Sequence, residues 1–120
     1  MLNEKLHDPG SAVLLYGTTP PRAGSAASAV ESAATKLAAR LAPLPLDGIV
    51  VYDIQDESGR TSVPRPFAFT GTVDPRAYAK RLRELTGLHA ITYKCVGEAD
   101  AAAWNDWLAA RRSRCVLSFV

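Results

Sequence analysis

Hydroxyl and guanidinium groups follow the first apolar segment of the chain. The segment Ala12 to Tyr16 is typical of a short buried strand, and Thr18, Thr19 and Arg22 come soon after it. Two hydroxyl groups and a planar guanidinium group can bind an anionic or polar ligand, and the intervening Pro20-Pro21 step holds the backbone extended. We interpret the two threonines and the arginine as candidate substrate-binding residues. The alternative is a solvated connection before a helix.

Carboxylates cluster after the second apolar segment, Gly48 to Tyr52. Asp53 follows that strand directly, and Gln55, Asp56 and Glu57 come next. Neighbouring carboxylates raise one another's pKa and can therefore supply a general acid or base. Asp53 and Glu57 are the candidate catalytic residues, and the alternative is that the carboxylates only solvate a loop.

A lysine lies in the third apolar segment, Ala90 to Val96. Strand alternation places Thr92 and Lys94 on one face and Ile91, Tyr93 and Cys95 on the other. Lys94 can hold a phosphate, pair with Asp53 on the neighbouring strand, or act as the amine nucleophile of a lyase-type barrel.

The elements that position these residues alternate between strand and helix. A helix is predicted from about Ser25 to Leu41, with Ser28 and Glu31 at capping-box spacing. A second helix begins at Asp74-Pro75 and ends at Gly87. Between them, a long connection from Ser58 to Val73 follows the second strand.

The remaining elements complete the same pattern. Asp100 can cap a third helix, in which Trp104 and Trp107 are predicted to anchor the helix rather than to form a stacking platform. Cys115 to Val120 is predicted to be a fourth strand.

The predicted fold class is α/β, with a parallel β-α-β-α-β-α-β order that is about half of a (β/α)₈ TIM barrel. We expect residues 1–120 to form a single α/β unit and residues 1–10 to be a flexible N-terminal tail. An open doubly wound sheet is the rival, but the sequence contains neither glycine-rich nucleotide fingerprint.

Composition excludes several classes of function. A net charge of +2 is too small to predict a nucleic-acid surface, and no signal peptide or membrane span is recognisable, so a cytoplasmic location is expected. Cys95 and Cys115 are predicted to be reduced core residues, and no metal site is expected.

The ordered motifs resemble those of the methylenetetrahydrofolate reductase family, from about Val13 to Val120. The family's Phe-Glu-Phe-Phe-Pro-Pro-Lys/Arg motif corresponds to Tyr16-Gly17-Thr18-Thr19-Pro20-Pro21-Arg22. The family's Val-Thr-Tyr-Gly motif corresponds to Val50-Val51-Tyr52-Asp53, and its following Arg-Thr to Arg60-Thr61.

This resemblance implies a TIM-barrel flavoprotein of one-carbon metabolism that uses FAD and a folate-like substrate. By position, the cofactor-binding residues would be Tyr52, Gln55, Thr92 and Lys94. The family's general-acid glutamate falls on Gly17, so proton transfer would pass to Asp53 or Glu57, and Gly17→Glu is expected to raise activity.

The predicted function is therefore that of the N-terminal portion of a methylenetetrahydrofolate reductase-like, FAD-dependent oxidoreductase, inactive as an isolated chain. The alternative is a non-enzymatic α/β remnant or partner-binding module. The apolar edges of the first and fourth strands predict self-association or completion by a C-terminal half.

Overall fold

The computed structural model describes residues 1–54, 62, 71–94 and 101–109, and the backbone of 116–119. Its sheet has four parallel strands in the order β1 (Leu15–Thr18), β2 (Gly48–Val51), β3 (His89–Lys94) and β4 (Val116–Phe119). The helices are α1 (Leu2–His7), α2 (Ala27–Leu41), α3 (Pro75–Thr86) and α4 (Ala101–Ala109). The predicted parallel β-α-β-α-β-α-β arrangement is confirmed, and its sequential strand order is the one that half a barrel requires.

One face of the sheet is covered by α2 and α3. Ile49 and Val51 of β2 and Ala90 of β3 pack there against the helices. The helical side of this core consists of Ala34, Leu41, Tyr78, Ala79 and Leu82. All four residues of β2 are buried, which agrees with the expectation that so apolar a strand is covered on both faces.

The ends of α3 lie where the sequence predicts them. The Asp74 carboxylate accepts a hydrogen bond from the Arg76 backbone N–H at 3.0 Å, and Pro75 occupies the first helical position. Gly87 ends the helix with φ 73°, a left-handed conformation that glycine adopts without steric cost. These local signals are strong because each satisfies a backbone group that the helix itself leaves unpaired.

The beginning of α2 differs from the prediction. The helix starts at Ala27 with Ala26 as its N-cap and no side-chain cap, so the predicted capping box is wrong. Ser28 lies inside the helix, and Glu31 instead binds Arg81 of α3, whose Nη2 lies 2.6 Å from Oε1 and whose Nε lies 2.9 Å from Oε2. Glu31 thus takes part in a bidentate ion pair across two helices instead of a local cap.

Residues 1–10, predicted to be a flexible tail, contain the helix α1. Leu2 is only 4% exposed and packs with Val50 and Ile91 on the face of the sheet opposite α2 and α3. Lys5 Nζ lies 2.5 Å from Asp47 Oδ1, while Asp47 Oδ2 accepts the Leu14 backbone N–H at 2.9 Å. These hydrogen bonds lower the pKa of Asp47. A single buried leucine and one ion pair thus fix a segment whose composition alone suggests no core contact.

Helix α4 is attached to α3 through Trp107. The Arg76 guanidinium lies 3.8 Å from the centroid of the Trp107 ring and donates to the Trp107 carbonyl, and the Trp104 ring meets Trp107 edge to face. Trp107 therefore links α4 to α3, and the predicted anchoring role of Trp104 stays a prediction. Asp100, Cys95 and Cys115 lie outside the described residues. None of the described helices is long and apolar enough to cross a membrane.

Candidate functional site

The carboxyl ends of β1, β2 and β3 lie together at one edge of the sheet. Because the strands are parallel and Thr18, Val51 and Thr92 are in register, the residues that follow each strand meet at this carboxyl edge. The Tyr52 backbone N–H donates to the Thr18 carbonyl at 3.0 Å and continues the ladder one residue beyond β2. The fold thus gathers the predicted site residues from three separate parts of the sequence.

Two tyrosines form an aromatic pair at the carboxyl edge. The rings of Tyr52 and Tyr93 meet edge to face, with centroids 5.4 Å apart and planes at 76°. Tyr93 packs with Val50 and Ile91, so this tyrosine pair lies on the face opposite α2 and α3. Tyr52 is 38% exposed. Such a pair presents both apolar ring surface and hydroxyl groups to a ligand.

Asp53 and Lys94 form an ion pair that joins the ends of β2 and β3. Lys94 Nζ lies 3.5 Å from Asp53 Oδ2, and the Asp53 side chain is only 6% exposed against 26% for Lys94. Among the alternatives for Lys94, the structure shows the pairing with Asp53. A carboxylate that is nearly buried and faces an ammonium group is suited to holding two strand ends together, and its assignment as a general acid stays a prediction.

The loop after β1 is held by the segment that precedes α3. Arg22 and Thr72 form an antiparallel bridge, with hydrogen bonds of 2.9 Å from the Ala23 N–H to the Gly71 carbonyl and from the Val73 N–H to the Pro21 carbonyl. The Thr19 and Arg22 side chains are exposed, whereas Thr18 is half-buried. This arrangement leaves the Arg22 guanidinium at the surface on a fixed backbone, which suits binding of an anionic group.

The three proposed cofactor residues that are described lie on two faces of the sheet, Tyr52 on one and Thr92 and Lys94 on the other. Thr92 is fully buried, and its Oγ1 has no hydrogen-bond partner among the described residues. Lys94 faces Asp53, and Gln55 lies outside the described residues, as do Asp56 and Glu57. Of the four predicted flavin contacts, only Tyr52 is both described and well exposed, and FAD stays a prediction.

Sequence reasoning missed two parts of the site. Strand alternation predicts only the face on which Tyr93 lies, although Tyr52-Asp53 and Tyr93-Lys94 are matching aromatic-charged pairs at the ends of adjacent strands. That repetition is a signal from which Tyr93 could have been identified as part of the site. The bridge of Thr72 to Arg22 had no such signal, because it joins segments 50 residues apart without any side-chain pattern.

Other candidate sites are weaker. Among the described residues, no group of three or more His, Cys, Asp or Glu side chains could hold a metal ion. A groove of about 200 Å³ is lined by Leu41, Leu85 and Leu88 and other uncharged residues. It lies at the amino edge of the sheet, where α2 and α3 end, far along the strands from the tyrosine pair.

The fold places this chain among the α/β proteins that are built on a parallel sheet. Among solved structures, it is similar to an uncharacterized protein from Clostridium thermocellum that binds two copies of 5-methyl-5,6,7,8-tetrahydrofolic acid. The TM-score is 0.78 at 23% identity, and the match covers 99% of this chain and 37% of that one. At this identity the likeness shows the fold. No family model and no curated protein matches the sequence.

Proposed function

We propose that this chain contributes a reduced-folate-binding surface, located at the carboxyl edge and centred on the tyrosine pair. The observation that carries the proposal is the exposed ring of Tyr52, fixed edge to face against Tyr93 on the face of the sheet that no α2 or α3 residue covers. A pterin is a planar, polar heterocycle, and aromatic side chains with polar tips are suited to contact both its face and its edge.

Two further features support a folate rather than another planar ligand. The structurally similar C. thermocellum protein binds a methylated tetrahydrofolate, and this chain spans 37% of its length. Arg22 also lies exposed at the same edge, where its guanidinium group can form a bidentate contact with a carboxylate of the folate's glutamate tail. Thr18 and Thr19 offer hydroxyls next to it.

Calorimetric titration of the purified chain with 5-methyltetrahydrofolate tests this function. We expect saturable binding that Arg22→Ala weakens by at least about tenfold, because a charge-assisted hydrogen bond is lost. Arg40→Ala is the matched control, since Arg40 is an exposed arginine in the last turn of α2, at the amino edge. A folded chain that shows no binding, or equal losses in both variants, would contradict the proposal.

Flavin-dependent reduction of the folate, which the family resemblance implies, is a separate and finer prediction. Reconstitution with FAD and measurement of flavin absorbance in the gel-filtered protein test it directly. Retained flavin together with folate-dependent flavin oxidation or reduction would support an oxidoreductase. Folate binding without flavin retention would support the alternative, a non-enzymatic binding module.

A further inference from the structure

The ring of Tyr52 lies across the backbone of β1 at Gly17. A Cβ atom placed on Gly17 would lie 2.9 Å from both Cε2 and Cζ of the tyrosine, and closer still to its hydroxyl oxygen. Real Cβ atoms essentially never approach other atoms so closely. Residue 17 must therefore lack a side chain for Tyr52 to take this position.

The position of the ring is fixed from two sides. The Tyr52 N–H donates to the Thr18 carbonyl, which holds its backbone beside β1, and Tyr93 packs against the ring from β3. The side chain nevertheless remains 38% exposed, and none of the described residues hydrogen-bonds its hydroxyl. A phenol that is held in place and has no hydrogen-bond partner within the described part of the chain is a pre-organised hydrogen-bond donor.

We propose that the Tyr52 hydroxyl donates a hydrogen bond to the pterin ring of the bound folate, and that Gly17 is the specificity-determining residue that admits it. This inference rests on the proposed folate-binding function. It also changes the expectation for Gly17→Glu: the added side chain would displace Tyr52 from the space it occupies, so the substitution is expected to weaken folate binding instead of raising activity.

Removal of the hydroxyl alone is the first test. We expect Tyr52→Phe to weaken binding of 5-methyltetrahydrofolate by about tenfold in calorimetric titration, because one hydrogen bond to the ligand is lost while the ring remains. Tyr16→Phe is the matched control: Tyr16 is also 38% exposed and precedes Gly17, but it is in register with Ile49 and so belongs to the opposite face.

The outcomes separate this inference from the function on which it rests. Absence of binding by the parent protein would overturn both. Parent binding that Tyr52→Phe leaves unchanged, or that Tyr16→Phe reduces equally, would overturn the role of the hydroxyl and leave the folate proposal standing.

A double-mutant cycle tests the contact with Gly17 without any ligand. We expect Gly17→Ala to lower the urea midpoint of unfolding in the parent protein. Its effect should be much smaller in the Tyr52→Ala background, because the tyrosine ring with which the new methyl group would clash is then absent. Equal shifts in the two backgrounds would show that Tyr52 does not occupy the space above Gly17, and would overturn the inference.

Discussion

At the scale of single residues, two dipeptides account for most of the site. Adjacent residues of an extended chain point to opposite faces of a sheet. Tyr52-Asp53 and Tyr93-Lys94 lie at the ends of neighbouring strands, so the same backbone geometry supplies an aromatic pair on one side and an ion pair on the other. We infer that the charges secure the strand ends from which the rings project.

Asp53→Asn tests whether this ion pair is structural. We expect the free energy of unfolding to fall by about 1–3 kcal/mol, because Lys94 loses its charged partner next to a nearly buried amide. Urea titration measures the change. Asp106→Asn is the control, since Asp106 is exposed on α4 and has no ion pair within the described part of the chain, and it should change stability by less than about 0.5 kcal/mol.

The opposite outcome would reassign Asp53. If Asp53→Asn leaves the unfolding free energy unchanged but abolishes folate-dependent turnover in a flavin-loaded protein, the carboxylate acts on the ligand as a general acid or base. A loss of about 10²–10⁴-fold in turnover is the size expected for such a group.

At the scale of elements, α1 is the clearest addition to the predicted fold. Leu2 is buried against the sheet, whereas Leu6 of the same helix is 44% exposed. Leu2→Ala should therefore lower the free energy of unfolding by about 2 kcal/mol, near the low end for a buried leucine because a terminal helix can shift to fill the space. Leu6→Ala, measured by the same urea titration, should have little effect. Equal effects would mean that α1 does not pack on the sheet.

The ion pair between α2 and α3 predicts a pH dependence. Hydrogen bonding by Arg81 lowers the pKa of Glu31 in the folded chain below its ordinary value of 4.5, so the folded state binds the proton more weakly than the unfolded state. The stabilisation is thus present above that value and lost as the pH falls through the folded pKa.

A pH series of urea titrations measures this effect. The stability difference between the parent and Glu31→Gln should be largest at neutral pH and should narrow as the solution becomes more acidic than the ordinary glutamate pKa. A difference that stays constant into acid would show that the pair does not stabilise the fold through its charges. Asp106→Asn again serves as the control.

At the scale of the whole molecule, the sheet has two open edges in its described part. β1 pairs only with β2, and β4 pairs only with β3. Leu14 is 51% exposed and Tyr16 38% exposed beside the β1 edge. Unpaired strand edges with apolar side chains promote association, because they offer both hydrogen-bonding groups and a surface to bury.

We therefore expect the purified 120-residue chain to self-associate. Sedimentation velocity over a range of concentrations should show species larger than the monomer, and Leu14→Lys should shift the distribution toward monomer by placing a charge beside the edge. A stable monomer with cooperative unfolding at every concentration would instead favour an independent open-sheet domain.

What the sequence determined by itself is local in origin. The spacing of apolar residues predicted the strands and helices. Asp74, Pro75 and Gly87 predicted the ends of α3, because caps and backbone conformations depend on a few adjacent residues. The parallel order followed from the alternation of these elements, and the polar groups after each strand indicated the carboxyl edge.

Only the tertiary structure decided which of those groups act together. Thr92, proposed for a cofactor, is buried beneath the helices, while Tyr93, for which no role in a site is predicted, meets Tyr52 at the edge. Glu31 binds Arg81 instead of capping α2, and α1 packs on the sheet through Leu2. Each outcome depends on contacts between segments that are far apart in the chain. The strength of such contacts cannot be inferred from a local sequence pattern. The position of Tyr52 above Gly17 is of the same kind, because it requires β1 and β2 to be paired in one register.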